Sequence, residues 1–422
     1  MRAPRIAWIG LAAMTALVVA GAMAGGSFLG LRTEFLLFGL TLLGVALLHD
    51  RVFEVAVVGL LALLLLKSLT GGAALLAPHF VHEAPMLINL LGLLLGFALL
   101  ARHFEQSEIP ELLPSLLPGG VGGAFALLAI VFLLSAFLDN IAAAVIGATM
   151  AMHLFRKRVH LGYLAAIVAA SNAGGAGSVL GDTTTTMMWI DGVAWSDVLH
   201  AYGAAVPALL IIGFAGARQQ HRLQPMQTQP RGIHRLRADH LLTAVVVLAG
   251  AIAANVTLDF PAAGVWAGLL ICAPFARTDW YVLRPALKGA LFLVALVASA
   301  SLMPVESLPV AGWQTAFGLG IVSSVFDNIP LTKLALDQGG YDWGVLAFAV
   351  GYGGSMIWFG SSAGVAVSNL FPEAKSVGRW IADGWHVSLA YLVGFAVLLA
   401  VGGWHPHPPH KDVPAAAVDG HG

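Results

Sequence analysis

Long apolar runs, recurring along most of the chain's 422 residues, limit the folds that this sequence can adopt. Each is close to the roughly twenty residues that an α-helix needs to cross the hydrocarbon core of a bilayer. The runs lie near 6–24, 33–49, 52–70, 86–101, 196–216, 240–256, 260–276, 287–303 and 385–403. Only 10% of the residues are charged, against about 25% in an ordinary soluble domain. The sequence therefore predicts an all-α polytopic membrane protein.

Four further apolar runs are longer and are interrupted by polar residues: 121–155, 161–189, 310–340 and 343–370. Short cytoplasmic loops collect arginine and lysine. If 121–155 were a single crossing, the most basic loop would face outward, whereas a re-entrant hairpin there makes every basic cluster cytoplasmic. The hairpin agrees with the charge rule, and the same treatment of 310–340 places a second hairpin on the outer side. We expect about eleven spans and two hairpins.

The two halves of the chain correspond element by element: three helices, a hairpin, an interrupted helix and a closing helix. We predict repeat 1 at 27–216 and repeat 2 at 240–403, joined by a basic cytoplasmic loop at 217–239. Because repeat 1 starts outside and repeat 2 starts inside, the two would be inverted repeats. Secondary transporters with such repeats place their substrate sites at the repeat interface, near the bilayer midplane.

Residues 1–26 fit two interpretations equally well. Their basic start, apolar stretch and Ala22-Met23-Ala24 sequence are compatible with a first transmembrane helix or with a cleaved signal peptide. In either case we expect a multi-pass protein of the bacterial inner membrane. Its C-terminus would be periplasmic and its N-terminus, if uncleaved, cytoplasmic.

The tail at 404–422 is polar and rich in proline, so we expect it to be disordered. Its histidines fit a solvated linker better than a metal site. These histidines are His405, His407, His410 and His421.

Several classes of function find no support in the sequence. The G-x-x-x-x-G-K-[ST] phosphate loop and the H-E-x-x-H zinc motif are both absent, so we expect no cofactor and no enzymatic activity. Transport would then draw its energy from an ion gradient. The formal net charge of -1 gives no reason to expect nucleic acid as a partner. The one cysteine, Cys272, lies in an apolar run and can form no internal disulfide.

Both predicted hairpins carry an Asp-Asn pair in the middle of an apolar run, in FLDNIAAAVIG at 137–147 and VFDNIPLTKLAL at 325–336. A carboxylate at membrane depth costs at least about 2.5 kcal/mol and persists where it faces a cavity, a partner or a transported ion. Burial also disfavours the charged form. Asp139 and Asp327 could therefore hold a proton or a cation, but not both at once. The alternative is a helix N-cap at each hairpin tip, with Asn140 and Asn328 as turn residues.

The interrupted helices contain SNAGGAGSVLGDTTTTMMW at 171–189 and GYGGSMIWFGSSAGVAVSN at 351–369. Each has a glycine pair followed by a third glycine, and we expect these glycines to let the helix unwind as hinges. They are Gly174, Gly175, Gly181, Gly353, Gly354 and Gly360. Asp182 is a third candidate acid, and its counterpart by register is Ser361, so the two half-sites are unequal. The alternative for the threonines after Asp182 is hydrogen bonding to preceding carbonyls in a bent helix.

Two further residues have competing interpretations. Lys333 follows Asp327 by six residues. One interpretation, which we favour, is that its side chain extends to the outer surface; the other is that it pairs with Asp327 until the transported cation displaces it. The sequence at 360–364 matches the hydrolase elbow G-x-S-x-G, with Ser362 as nucleophile. That motif needs a strand–turn–helix context that is not predicted here, so we treat the match as coincidental.

At these motifs the sequence resembles the NhaD-type sodium/proton antiporters, part of a larger ion transporter superfamily with citrate, dicarboxylate and arsenite carriers. The similarity covers 135–191 and 323–369. SNAGGAGSVLGDTTTTMMW is similar to the family's Asn-Ala-Gly-Gly-Ala pattern followed by Gly-Asp and a threonine run, and FDNIPL and GSSAGVAV resemble its partner motifs. Val179-Leu180 departs from the family's proline-containing spacer.

The resemblance implies exchange of Na⁺ or Li⁺ for H⁺ at alkaline pH, as in pH homeostasis, with a homodimer and an elevator-like movement of the hairpin-bearing part. The superfamily's dicarboxylate carriers have Ser-Asn-Thr at both motif tips, whereas this chain has Asp-Asn. Because acidic side chains favour a cation, we expect a Na⁺ or Li⁺ antiporter. The alternative is a cation- or proton-coupled citrate/dicarboxylate-type symporter, in which Asp139 and Asp327 hold only the coupling ion.

The expected ion site combines acids with neutral oxygen ligands. Asp139, Asp327 and Asp182 would exchange protons for the cation. The neutral ligands would be Asn140, Asn328, Asn172, Thr183, Thr184, Ser361 and Ser362.

Overall fold

The computed structural model describes residues 2–23, 27–28, 31–48, 51–226 and 236–407. Within these residues the chain is helical apart from its loops and one antiparallel pair of two-residue strands, β1 (Ser27–Phe28) and β2 (Leu31–Arg32). The predicted all-α polytopic class is confirmed. The described residues contain helices long and apolar enough to cross a membrane at Val52–Leu69, Ala73–Gln106, Trp195–Leu223, Ala238–Leu258, Trp280–Ser301 and Trp385–Gly402. The count of about eleven spans stays a prediction.

The first half of the chain forms eleven helices among the described residues. They are α1 (Arg2–Met23), α2 (Thr33–Leu47), α3 (Val52–Leu69), α4 (Ala73–Gln106), α5 (Ile109–Leu116), α6 (Gly120–Ser135), α7 (Asn140–Leu154), α8 (Leu161–Ala176), α9 (Thr183–Ile190), α10 (Trp195–Leu199) and α11 (Tyr202–Leu223).

The second half repeats much of this order. Its helices are α12 (Ala238–Leu258), α13 (Pro261–Cys272), α14 (Leu283–Ser301), α15 (Trp313–Ser323), α16 (Asn328–Gln338), α17 (Trp343–Gly353), α18 (Ser362–Leu370), α19 (Val377–Asp383) and α20 (Trp385–Gly402). Short 3-10 turns precede α14, α15 and α19.

The four interrupted runs are all split where the sequence predicts. Helices α6 and α7 turn at Asp139, and α15 and α16 turn at Asp327, so each predicted hairpin is a helical pair with its acid at the turn. Helices α8 and α9, and α17 and α18, are the halves of the interrupted helices. In both halves of the chain these elements come after three helices, α2–α4 and α12–α14, and before a closing helix, α11 and α20.

The helices pack into two bodies. The frame consists of α1–α4 and α12–α14, and the hairpin body consists of α6–α9, α11, α15–α18 and α20. In the hairpin body, α7 packs against α18 while α16 packs against α9. Each hairpin therefore contacts the interrupted helix of the other half, which is the reciprocal exchange that a two-fold relationship produces.

One predicted span is much longer than expected. The apolar run at 86–101 is only the later part of α4, whose 34 residues extend about 51 Å and exceed the roughly 30 Å hydrocarbon core. Pro78 and Pro85 lie inside this helix without ending it. The run predicted from the sequence begins near residue 86, whereas the helix begins at Ala73. As a result, Glu83 lies within α4 and reaches the hairpin body.

The ends and the central loop are only partly described. Helix α1 packs against α2 and α3, whereas cleavage of residues 1–26 stays a prediction. Within the predicted loop at 217–239, α11 continues to Leu223 and residues 227–235 lie outside the described residues. The predicted disordered tail begins with ordered residues, because His405 N donates to Asp342 Oδ2 at 2.9 Å and Trp343 Nε1 donates to the His407 carbonyl at 3.0 Å. His410, His421 and the remainder of 408–422 lie outside the described residues.

We predict that Gly264→Val destabilises the frame. Helices α12 and α13 approach so closely that a Cβ at Gly264 would collide with the Gly250 carbonyl oxygen. Overpacking of a tight contact typically costs about 1–3 kcal/mol, so the thermal unfolding midpoint in detergent should fall. Gly318→Val is the matched control, because a Cβ at Gly318 meets nothing within 4 Å. Equal midpoints for the two variants would contradict the prediction.

Candidate functional site

Four helices of the hairpin body begin at capped N-termini close to the two turns. The Asp139 carboxylate accepts from Ile141 N at 3.3 Å on α7, and the Asp327 carboxylate accepts from Ile329 N at 3.0 Å on α16. On the interrupted helices, Asp182 accepts from Thr184 N at 3.1 Å and Ser361 Oγ accepts from Gly364 N at 3.2 Å. The N-cap alternative for the two hairpin acids is therefore confirmed.

The N-cap bonds do not use all the hydrogen-bonding capacity of the Asp139 and Asp327 side chains. The cap bond uses one oxygen of each carboxylate, and the positive end of a helix dipole stabilises negative charge beside it. The second oxygen of Asp327, Oδ2, accepts from Ser362 Oγ at 3.4 Å. Asp139 and Asp327 are half-buried, whereas Asp182 is only 2% exposed.

A cavity of about 570 Å³ lies between the frame and the hairpin body and reaches both turns. The frame lines it with mainly apolar side chains of α2, α4 and α14. The hairpin body contributes Asp139, Asp327, Ser361 and Ser362, and Glu105 of α4 also lines it. Among the described residues that line this cavity there are three carboxylates and no arginine, lysine or histidine. Its polar end is therefore suited to a cation.

A smaller void brings two of the predicted acids together. Its volume is about 10 Å³, and its lining includes Asp139, Asp182, Thr183 and Thr186. This volume is close to that needed by one water molecule. Asp139 thus faces both the large cavity and the compartment of Asp182, although the two acids are far apart in sequence.

The threonine run after Asp182 divides into two roles. Thr185 Oγ1 donates to the Ser178 carbonyl at 2.6 Å, and Thr186 Oγ1 donates to the Val179 carbonyl at 2.9 Å. These bonds confirm the structural alternative for Thr185 and Thr186, because they close the loop between α8 and α9. Thr184 Oγ1 is buried beside the Asp182 side chain.

A buried amide network connects hairpin α6–α7 with both interrupted helices. Asn140 Nδ2 donates to Asn172 Oδ1 at 3.1 Å. Asn172 Nδ2 in turn donates to Ser355 Oγ at 2.9 Å and to Ser361 Oγ at 3.2 Å. The structure therefore brings Asn140, Asn172 and Ser361 together as predicted, and adds Ser355, which the sequence analysis misses.

The predicted hinge glycines mark close backbone approaches. A Cβ at Gly174 would collide with the Phe132 carbonyl oxygen, and one at Gly353 would collide with the Gly320 carbonyl oxygen. Gly174 and Gly175 still lie in α8, which ends at Ala176, so the unwinding begins after this pair. Gly181 and Gly360 have equivalent contacts with the carbonyls of Ser135 and Ser324, and Gly354 lies against Gly360. These contacts seat each hairpin against the interrupted helix of its own half.

Both interpretations of Lys333 are wrong. The side chain is 2% exposed, and its Nζ lies 2.9 Å from Glu83 Oε2 and 2.6 Å from Asp337 Oδ1. It therefore neither reaches the surface nor depends on Asp327 for its counter-charge. The sequence analysis misses Glu83 and Asp337, although an acid inside an apolar run, as in 83–101, is a signal that could have identified Glu83.

Ser362 does not occupy a hydrolase elbow. It is the first residue of α18 and follows a loop after the helix α17, rather than a strand. Its hydroxyl donates to Asp327, which places it beside a hairpin turn.

We predict that Lys333→Met strongly destabilises the protein. Methionine keeps much of the volume but leaves the carboxylates of Glu83 and Asp337 without their cation, and an unpaired buried charge costs about 3–5 kcal/mol. Lys288→Met is the matched control, because Lys288 pairs with Glu54 at 2.9 Å with both side chains more than half exposed. An exposed pair contributes about 0–1 kcal/mol. Thermal unfolding in detergent should separate the two variants, and equal midpoints would disprove a structural role for the Lys333 cluster.

Comparisons with curated proteins agree with the motifs. The chain is 25% identical over 343 residues to sodium/proton antiporter 1 of Arabidopsis thaliana, covering 68% of this chain and 56% of that protein. It is 25% identical over 298 residues to the Na⁺/H⁺ antiporter NhaD of Vibrio parahaemolyticus, covering 56% of this chain and 70% of the relative. For NhaD of Halomonas elongata the identity is 28% over 258 residues, covering 48% of this chain and 51% of that relative.

The chain spans little more than half the length of the Arabidopsis and Halomonas relatives. No protein-family model matches it. The similarity to several NhaD proteins and to plant antiporters nevertheless confirms the resemblance that the Asp-Asn and glycine motifs predict. This chain is a multi-pass membrane protein related to the NhaD-type sodium/proton antiporters.

Proposed function

We propose that this protein is a secondary active transporter that exchanges Na⁺ or Li⁺ for H⁺. The observation that carries the proposal is the cavity between the frame and the hairpin body, which ends at Asp139 and Asp327. Carboxylate, amide and hydroxyl oxygens are hard ligands that suit alkali cations. The relatives' names, which describe Na⁺/H⁺ antiporters, support the same substrates.

In the proposed exchange, Asp139, Asp182 and Asp327 carry either protons or the cation's counter-charge. Burial disfavours a bare carboxylate, so release of the cation favours protonation and deprotonation favours cation binding. Asn140, Asn328, Thr183, Thr184, Ser361 and Ser362 supply neutral contacts in this scheme, as does Asn172 through its hydrogen bonds.

The transport cycle would move the hairpin body against the frame. The cavity that lies between the two bodies supports such a movement. We include in the proposal the inverted repeats at 27–216 and 240–403, a homodimer and a bacterial inner-membrane location. The N-terminus would be cytoplasmic if uncleaved and the C-terminus periplasmic.

The rival function is symport of citrate or another organic anion. A dianion needs positive partners, and the described lining of the large cavity has carboxylates without a basic side chain. This composition favours the antiporter.

The two functions differ in a vesicle assay. Everted vesicles that contain the protein and maintain a proton gradient should lose part of that gradient when NaCl or LiCl is added, reported by a pH-sensitive dye. Choline chloride is the control salt. Recovery of fluorescence that requires added citrate or another carboxylate would contradict antiport and support the rival.

We predict that Asp139→Asn and Asp327→Asn each reduce Na⁺- and Li⁺-dependent exchange to the background of empty vesicles. Asparagine retains an N-cap oxygen, so the variants should fold, but its amide cannot exchange a proton. Asp259→Asn is the matched control, because Asp259 is exposed at the end of α12 in a left-handed conformation that asparagine tolerates. Wild-type exchange rates in both hairpin variants would remove these acids from the mechanism.

A further inference from the structure

The two halves of the hairpin body have equivalent positions with different chemistry. The register that aligns Gly174 with Gly353 aligns Asn172 with Gly351 and Asp182 with Ser361. The hairpin register aligns Asn140 with Asn328. Asn172 therefore provides an amide on the interrupted helix of one half, and Gly351 provides no side chain at the equivalent position of the other half.

The three-dimensional contacts agree with this alignment. Asn172 Nδ2 lies beside Ser361 and Ser355. Around the equivalent Gly351, a Cβ would lie 3.1 Å from Asp182 Oδ2 and 3.7 Å from Ala176 Cβ. Because Ala176 is the counterpart of Ser355, the neighbours of Gly351 are those of Asn172 exchanged between the halves.

In the half-site around Asn172, the buried polar groups form hydrogen bonds with one another. Asn140 donates to Asn172 at 3.1 Å, and Asn172 donates to Ser361 at 3.2 Å, so a direct chain of hydrogen bonds connects the hairpin to the facing N-cap. All three residues are at least nine-tenths buried, with exposures of 5%, 0% and 2%. This half needs no additional ligand to satisfy its amides.

In the half-site around Gly351, the corresponding series of hydrogen bonds is interrupted because glycine has no side chain. Within the described residues, Asp182 Oδ2 and Asn328 Nδ2 are buried without a hydrogen-bond partner, and the two residues are 2% and 4% exposed. These are the counterparts of the atoms that the Asn172 amide joins in the first half. Helix α16 contacts α17 and α9, as α7 contacts α8 and α18, so Asn328 at the start of α16 is the positional counterpart of Asn140 at the start of α7.

We propose that a dehydrated Na⁺ or Li⁺ ion binds between Asp182 and Asn328, in the position that the Asn172 side chain occupies in the other half. This inference rests on the proposed function and assigns the cation to one of its two half-sites. Asp182 supplies the negative charge that a buried cation requires. A half-turn of the Asn328 amide about its Cβ–Cγ bond presents Oδ1 as a second ligand, and the buried Thr184 Oγ1 beside Asp182 is a third candidate.

The same comparison explains why the cation would bind in the half-site around Gly351 and not in the half-site around Asn172. The half-site around Asn172 faces the neutral Ser361, whereas the half-site around Gly351 faces Asp182. The Nδ2 groups of Asn140 and Asn172 also direct N–H donors at the oxygen atoms of the Asn172 half-site. Donors repel a cation, whereas the Gly351 position has no side chain of its own and lies next to the Asp182 carboxylate. One such site for each chain follows, despite the two repeats.

The direct test is Gly351→Asn, which copies Asn172 into the second half. Its Oδ1 would accept from Asn328 and its Nδ2 would donate to Asp182, so the variant should close the site. We would measure thermal unfolding of the purified full chain in detergent against NaCl, with choline chloride at equal ionic strength. For wild type the midpoint should rise with NaCl, because a ligand that binds only the folded state stabilises it. The variant should need roughly ten-fold more NaCl or more for the half-maximal rise.

Gly378→Asn is the matched control, because Gly378 is exposed on α19 and a Cβ there meets nothing within 4 Å. It should respond to NaCl as wild type does. If Gly351→Asn does not yield folded protein, Gly351→Ser and Asn328→Ala replace it with the same expected weakening. The first adds a smaller group to the gap, and the second removes a proposed ligand.

The outcomes separate this inference from the proposed function. Wild-type NaCl dependence in the folded Gly351 or Asn328 variants overturns the Gly351 site, and the gap then holds water only, even if exchange is intact. No Na⁺- or Li⁺-dependent exchange by wild type overturns the proposed function. Exchange by wild type together with loss of the NaCl response in Gly351→Asn supports both.

Discussion

Four helices begin close together in the hairpin body, and their free backbone N–H groups must be satisfied at a depth where lipid supplies no hydrogen bonds. Asp139, Asp182, Asp327 and Ser361 meet this need as N-caps. The caps also bring three acids to the positive ends of helix dipoles, where negative charge is tolerated. The same residues that permit the chain to break its helices therefore supply the carboxylates at which we propose that protons and cations bind.

The two halves of the hairpin body have the same order of helices but differ in their buried side chains. The Asn140–Asn172–Ser361 chain is neutral and closed by hydrogen bonds. In the half-site around Gly351, glycine stands where the other half-site has the Asn172 amide, and Asp182 stands where it has Ser361. Structural similarity thus aligns the groups, while the chemical difference leaves polar atoms of only one half open.

The contact between the frame and the hairpin body is different at the two ends of α4. Near the C-terminal end of this helix, Glu105 lines the cavity that reaches the hairpin turns. About 33 Å earlier along the helix, Glu83 pairs with the buried Lys333 of α16. Asp337 also pairs with Lys333 and lies on the same helix, so it moves with the lysine. Any sliding of the hairpin body past the frame must separate Lys333 from Glu83 but not from Asp337.

The element order and the positions of the candidate acids could be predicted from local patterns. An apolar run either is or is not long enough to cross a bilayer, and Asp139 and Asp327 stand out because each interrupts such a run. Their flanking sequences also placed both hairpin turns correctly. Helix α4 was harder, because prolines and polar residues near Glu83 suggest an end, whereas packing in the frame keeps the helix continuous.

The sequence by itself determined the class of fold, the two breaks in each half and the acids that occupy them, because hydropathy, glycine pairs and capping act over short stretches of chain. Only the tertiary structure decided which partner each buried polar group finds. Lys333 meets Glu83 from a different body, and Asn172 meets Ser361 from the other repeat, over separations that no local pattern encodes. Hydrogen bonds and ion pairs act over a few ångströms in space, so the packing of distant helices determines which of these groups are paired and which remain open.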